Sequence, residues 1–273
     1  MSVINRIMTL IFDVLFAPFV AAPGWLSLIV FSAIASVAGL LVYKYTSNQA
    51  SIKRVKDRIK ANMLAIKLFK DDLGVMFRSQ AKTLVCALHL LRYSLLPMAV
   101  MIVPFVLVVA QLALRYQWRP LQPGETVVMT AQLTPGHDVT RLNPILEPSE
   151  GAVCETPPVR IASLNQVVWL LRATAPGRHV LRLRVGGEVV EKSIDVGDGF
   201  RRVSALRSNG SFVDAVLHPG ETPLPADSAV QSIALDYPAR DSWFYGETFW
   251  LIWLIALSFV VALLVKPALG VEF

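Results

Sequence analysis

The stretch Ser94–Leu114, SLLPMAVMIVPFVLVVAQLAL, decides the class of fold, because its 21 residues carry no charge. At 1.5 Å rise per residue, a helix of that length matches a bilayer hydrocarbon core of about 30 Å. Trp25–Tyr43 and Thr248–Val265 share the property. Over all 273 residues the chain is 54% hydrophobic and only 17% charged, with mean hydropathy +0.53, against about 25% charged in an ordinary soluble domain. The composition therefore excludes an ordinary soluble protein. It points to a membrane protein of α+β class with three transmembrane helices.

Charge distribution orients those helices. Between the first two blocks, Lys44–Arg92 holds eleven basic and three acidic residues, a net charge of +8. Between the second and third, Arg115–Asp241 holds thirteen basic and fourteen acidic residues, a net charge of −1. Seven lysines lie in the first connection and Lys192 alone in the second. The positive-inside rule then places the first connection in the cytoplasm and the second outside. The expected organisation is an interfacial helix (1–24), a first span (25–43), a basic cytoplasmic hairpin (44–92) and a second span (93–114). An extracytoplasmic β domain (115–242), a third span (243–266) and a cytoplasmic tail (267–273) follow. The N-terminus is outside, and the expected location is the inner membrane of a bacterial-type cell. The surplus charge suits anionic lipid headgroups, and no DNA- or RNA-binding signature accompanies the lysines. Cys86 and Cys154 fall on opposite sides of the membrane, so no disulfide is expected between them.

The first twenty residues are amphipathic. Val3, Ile4, Ile7, Met8, Ile11, Val14, Leu15, Pro18 and Phe19 recur at helical spacing, and Ser2, Arg6, Thr9 and Asp13 form the opposite stripe. Such a helix lies in the membrane interface. Asp13 and Pro23 argue against a cleaved signal peptide. Trp25, Trp243, Tyr245 and Trp250 are the expected interfacial anchors.

The cytoplasmic segment continues the helical pattern through Ile52, Val55, Ile59, Met63, Ile66 and Lys70. Asp71-Asp72-Leu73-Gly74 reads as a break, with Gly74 suited to a positive φ. The pattern then resumes from Val75 into the second span. The result is a helical hairpin of coiled-coil type with both ends at the membrane. About 50 residues are spent where a short link suffices. Pro97 and Pro104 remove backbone hydrogen bonds inside the second span. Gln111 is a polar group at membrane depth, expected to face other helices or a wet cavity. His89 and Arg92 stand one turn apart at its cytoplasmic mouth.

This order of elements resembles the YidC/Oxa/Alb membrane-insertase superfamily. The local echoes are Leu68-Phe69-Lys70-Asp71-Asp72-Leu73-Gly74 in the hairpin, and Leu96-Pro97-Met98 with Pro104-Phe105 in the second span. The resemblance covers residues 1–114 and, by order alone, 248–265. It implies a shallow groove in a thinned bilayer, with nascent membrane proteins and the ribosome as partners. Lys70, Asp71, Asp72, His89, Arg92, Pro97, Pro104 and Gln111 are then the candidate groove or hairpin residues. The chain departs from the family's bacterial members, which carry an arginine on the first core span, since Trp25–Tyr43 is uncharged.

Residues 120–241 change character to short alternating runs separated by Gly and Pro. Strands are expected at Thr126–Leu133, Gln166–Thr174, Arg178–Val185, Val189–Val196, Arg201–Arg207, Ser211–Leu217 and Val230–Tyr237. Gly186-Gly187 reads as a two-residue hairpin turn. Seven strands at this spacing suggest an Ig-like sandwich with Trp169 in its core, either as one unit or as two divided near Gly197–Gly199. His89, His137, His179 and His218 lack metal-ligand spacing, and no nucleophile elbow, zinc-protease motif, P-loop or dinucleotide turn is present. The sequence points to no enzyme, cofactor or metal. It leaves two functional classes: an insertase-like membrane protein, and a membrane-anchored scaffold whose β domain binds an envelope partner.

Overall fold

The computed structural model describes residues 2–19, 23–69, 72–210, 212–244, 246 and 249–271. The helices outside the β region are α1 (Ser2–Phe16), α2 (Gly24–Thr46), α3 (Gln49–Leu68), α4 (Leu73–Tyr116) and α7 (Phe249–Leu269). Of these, α2, α4 and α7 are long and apolar enough to cross a membrane. The chain divides into two compact units, Met1–Leu28 with Val106–Trp253, and Ile29–Phe105 with Leu254–Phe273.

The return arm of the expected hairpin and the expected second span are one helix. α4 runs 44 residues with Pro97 and Pro104 inside it, about 66 Å at the helical rise. Asn48 caps α3, its side chain accepting from Ser51 N at 3.0 Å. Asp72 caps α4 in the same way, its Oδ1 accepting from Val75 N at 3.1 Å. Both are short polar side chains at helix starts, where free N–H groups need acceptors. Gly74, expected to break the helix with a positive φ, therefore lies in the first turn of α4 without one. Once Asp72 satisfies the first N–H groups, no left-handed residue is needed. Leu40, Tyr43, Ile52 and Val271 form a small core with Leu90, Met101, Val265 and Leu269 against it. Gly39 contributes by its absent side chain, since a Cβ there would lie 3.3 Å from Met101 Cε. α2 and α7 are also joined by polar bonds. Ser36 Oγ donates to the Ser258 carbonyl at 2.8 Å, Ser258 Oγ to that of Ser32 at 3.2 Å, and Lys44 Nζ to that of Leu269 at 2.7 Å.

In the first unit, the described residues form nine strands in two antiparallel sheets. They are β1 (Thr126–Leu133), β2 (Ile145–Leu146), β3 (Ala152–Cys154), β4 (Val159–Ile161), β5 (Gln166–Ala173), β6 (Gly177–Val185), β7 (Glu188–Val196), β8 (Leu206–Ser208) and β9 (Val230–Leu235). One sheet has the order β3-β5-β1-β9-β8 with β4 also on β5; the other is β2-β6-β7. Alternation decides which side chains meet. Val127, Met129, Ala131 and Leu133 of β1, Val167, Trp169 and Leu171 of β5, and Leu181, Leu183 and Val185 of β6 enter a single core. The two sheets share it, so the β region is one unit. Gly197 and Gly199, both with positive φ, mark the end of β7 and not a domain boundary. Val185 pairs with Glu188 across the two-residue turn, and the left-handed φ of +59° falls on Gly186.

Three details differ from the sequence expectation. Phe212–Leu217 is a helix, α6, with Ser211 outside the described residues. Its apolar residues at four-residue spacing (Phe212 and Val216, Val213 and Leu217) fit a helix as well as a strand, and His218 N closes an i to i−4 bond on Asp214 at 2.9 Å. Within Arg201–Arg207, only the end pairs as β8. The Val203 N–H is taken by the Leu114 carbonyl at the end of α4, at 2.7 Å, which draws the chain away from a ladder. Finally, β2, β3 and β4 are strands of two or three residues in a Pro-rich stretch, too short to show a period. Val139–Leu142 (α5) makes a single further helical turn.

Where the chain enters β1, Arg119 forks onto Glu125 with bonds of 2.7 and 2.9 Å, and Gln122 N donates to the same carboxylate at 2.9 Å. The Arg119 bond holds the Glu125 carboxyl below its ordinary 4.5. A lowered folded-state pKa means the unfolded chain binds the extra proton. The pair's contribution is thus complete above about pH 4.5 and is lost as the pH falls further below. Glu125→Gln is expected to remove about 0.5 kcal/mol at neutral pH and to flatten the acid limb of a stability–pH profile measured by denaturant titration.

Candidate functional site

The hairpin is an open structure. Arg58, Ala61 and Asn62 of α3 face Arg78, Ala81, Lys82, Val85, Cys86 and His89 of α4 across a cleft of about 510 Å³. The α4 residues recur at intervals of three and four, which puts them on one helix face. That face combines an apolar floor (Ala81, Val85, Cys86) with cationic walls. No carboxylate lines the cleft, and Arg58, Arg78 and Lys82 make no ion pair among the described residues. Uncompensated cations beside apolar surface suit a flexible segment bearing both negative and apolar side chains.

The sequence candidates are placed unevenly. His89 lines this cleft, while Arg92, three residues on, is exposed and does not. Asp72 caps α4, and Lys70 and Asp71 lie outside the described residues. Pro97 is buried and Pro104 exposed. Gln111 belongs to the other unit, where it is buried and donates from Nε2 to Thr9 Oγ1 on α1 at 3.1 Å, leaving its Oε1 without a partner. It therefore faces another helix. Among the aromatic residues, Trp25 is half-exposed and Trp243 exposed. Trp250 is buried, stacked on Tyr116 at 6.1 Å, and Tyr245 lies outside the described residues. Cys86 and Cys154 are free.

A second constellation escaped the sequence reading. Two residues of the polar stripe of α1 meet the rest of the unit: Thr9 meets Gln111, and Asp13 pairs with Arg115 and, at 3.2 Å, with Arg202. Phe12 and Phe16 are buried beside them, while Ile7, Leu10, Ile11, Val14 and Leu15 stay exposed. An amphipathic helix in water would do the reverse. Asp13, Phe16, Arg115, Arg178, Asp195, Phe200, Arg201 and Arg202 together line a cleft of about 370 Å³. The usable signal was the pair of charges that interrupt apolar runs, Asp13 and Arg115.

Among the described residues no group of histidine, cysteine or carboxylate side chains is placed to hold a metal ion. No family model matches the chain, and neither a curated protein nor a solved structure matches it.

Proposed function

We propose that the protein is an insertase-like membrane protein of the inner membrane that assists insertion or assembly of other membrane proteins. In this reading the termini lie outside (N) and in the cytoplasm (C), and the external β region is an Ig-like sandwich. The hairpin receives a newly made segment, at the ribosome or released from it, and hands it to the spans. The work is to lower the desolvation cost of moving polar groups past lipid, with no bond chemistry. The observation that supports it best is the open, acid-free cleft of Arg58, Arg78, Lys82 and His89, set on the same continuous helix that forms the second span.

A photo-crosslinker at Val85 tests this. Stalled nascent chains of simple membrane proteins are expected as adducts, and Arg78→Glu with Lys82→Glu is expected to reduce them several-fold. Adducts confined to a fixed set of envelope proteins would favour a scaffold instead. That second reading draws on the exposed apolar residues Val153, Val159 and Leu164 around β3 and β4. Orientation is tested separately, with a reporter near Gly74 expected in the cytoplasm and one near Gly187 outside.

A further inference from the structure

The arginine cleft of the first unit carries more positive charge than its own carboxylates can neutralise. Arg178 and Asp195 are matched, with Nε and an Nη bonded to the two carboxylate oxygens at 2.8 and 3.0 Å. Asp13 is shared, one oxygen to Arg115 and the other to Arg202. One carboxylate thus serves two guanidinium groups. Arg201 lines the same cleft, exposed, with no hydrogen bond or ion pair among the described residues. Four arginines against two aspartates leave a formal surplus of two positive charges.

All of these arginines but Arg201 are held in place. The Arg115 side chain is 3% exposed, packed over the Phe16 ring at 4.4 Å and donating to the Gln111 carbonyl at 3.4 Å. Phe200 supplies an apolar wall, itself covered by the Arg240 guanidinium at 4.2 Å. Burial and the nearby Arg178 hold Arg202 below its ordinary arginine value, as expected where cations crowd without enough counter-charge. A cluster of guanidinium groups beside an apolar shelf suits a phosphate group with apolar substituents, because the planar fork can bond two phosphate oxygens at once. The cleft opens beside Asp13 and Phe16, at the C-terminal end of α1, whose outward side chains are apolar over Ile7–Leu15. If that face rests in lipid, the cleft stands at headgroup depth.

We propose that this cleft binds the headgroup phosphate of an anionic phospholipid in the outer leaflet of the membrane. The site does not depend on the insertase activity, but the leaflet assigned to it rests on the orientation proposed above. Lipid anchored there would clamp α1 through Asp13, Arg115 and Arg202.

The test uses the full-length protein in phosphatidylcholine nanodiscs doped with phosphatidylglycerol, with retained lipid counted by native mass spectrometry as lipid is stripped away. Wild type is expected to keep one anionic lipid that Arg201→Ala keeps about tenfold less well, the loss of a charge-assisted bond. Among the described residues Arg201 bonds to nothing, so this variant should fold as wild type does. The hairpin's lysines are unchanged in it and cancel from the comparison. Equal retention by wild type, Arg201→Ala and Arg201→Glu would overturn the proposal, as would equal retention of phosphatidylcholine. A second arm adds inorganic phosphate to protein in pure phosphatidylcholine. Arg201-dependent thermal stabilisation there, without Arg201-dependent lipid retention, would assign the cleft to a soluble phosphate and overturn the lipid source.

Discussion

Lys192→Ala is expected to destabilise the β region by about 3–5 kcal/mol, the cost of breaking a buried ion pair by removing one partner. Lys192 is the one lysine between the second and third apolar blocks, and its side chain is wholly buried. From β7 it donates to the Ser204 carbonyl at 2.6 Å and to Glu221 at 2.8 Å. Burial lowers its pKa, opposed by Glu221. Glu221 also accepts from Ser193 N at 3.2 Å and from the Ser193 hydroxyl, so this one carboxylate ties β7 to the segment after α6. With the ammonium gone, Glu221 keeps Ser193 and, at 4.0 Å, Arg207, while the Ser204 carbonyl loses its lysine donor. Lys192→Met combined with Glu221→Leu should recover most of the loss, because removing both charges also removes the desolvation cost. Urea denaturation of the purified protein, followed by the β-sheet circular dichroism signal, measures both. A single-variant cost below about 1 kcal/mol would show that Lys192 is not the strut the geometry describes.

The second large effect is expected at Trp169. Its side chain is 2% exposed and is the largest of the fully buried ones, placed by β5 opposite Met129 of β1. Trp169→Ala should cost about 3–5 kcal/mol through lost burial and the cavity left behind, and Trp169→Phe clearly less. The same denaturation experiment reads both variants. Equal midpoints for wild type and Trp169→Ala would mean the two sheets do not close over that side chain.

What the sequence made legible follows from how far each signal reaches along the chain. Uninterrupted apolar blocks expose long apolar helices directly, and α2, α4 and α7 enclose all three expected blocks apart from Thr248, which lies outside the described residues. Alternation over eight or nine residues exposes β1, β5, β6 and β7. Two- and three-residue strands such as β2 and β3 carry no period, and they are held by their partners. Ion pairs are less legible still. Asp13, Arg115, Arg178, Asp195 and Arg202 come from five separate places, and only folding brings them into one cleft. Lys192 illustrates the difference in kind. Its isolation among lysines was visible and served as a topology signal, while its burial depends on Glu221 and Ser204, which no local pattern links to it.

The most direct test of the proposed function is insertion of a small single-span protein into liposomes containing the purified protein, scored by protease protection. The account predicts several-fold more protected product than in protein-free liposomes, reduced by Arg78→Glu with Lys82→Glu in the hairpin cleft. The same yield with and without the protein would contradict it.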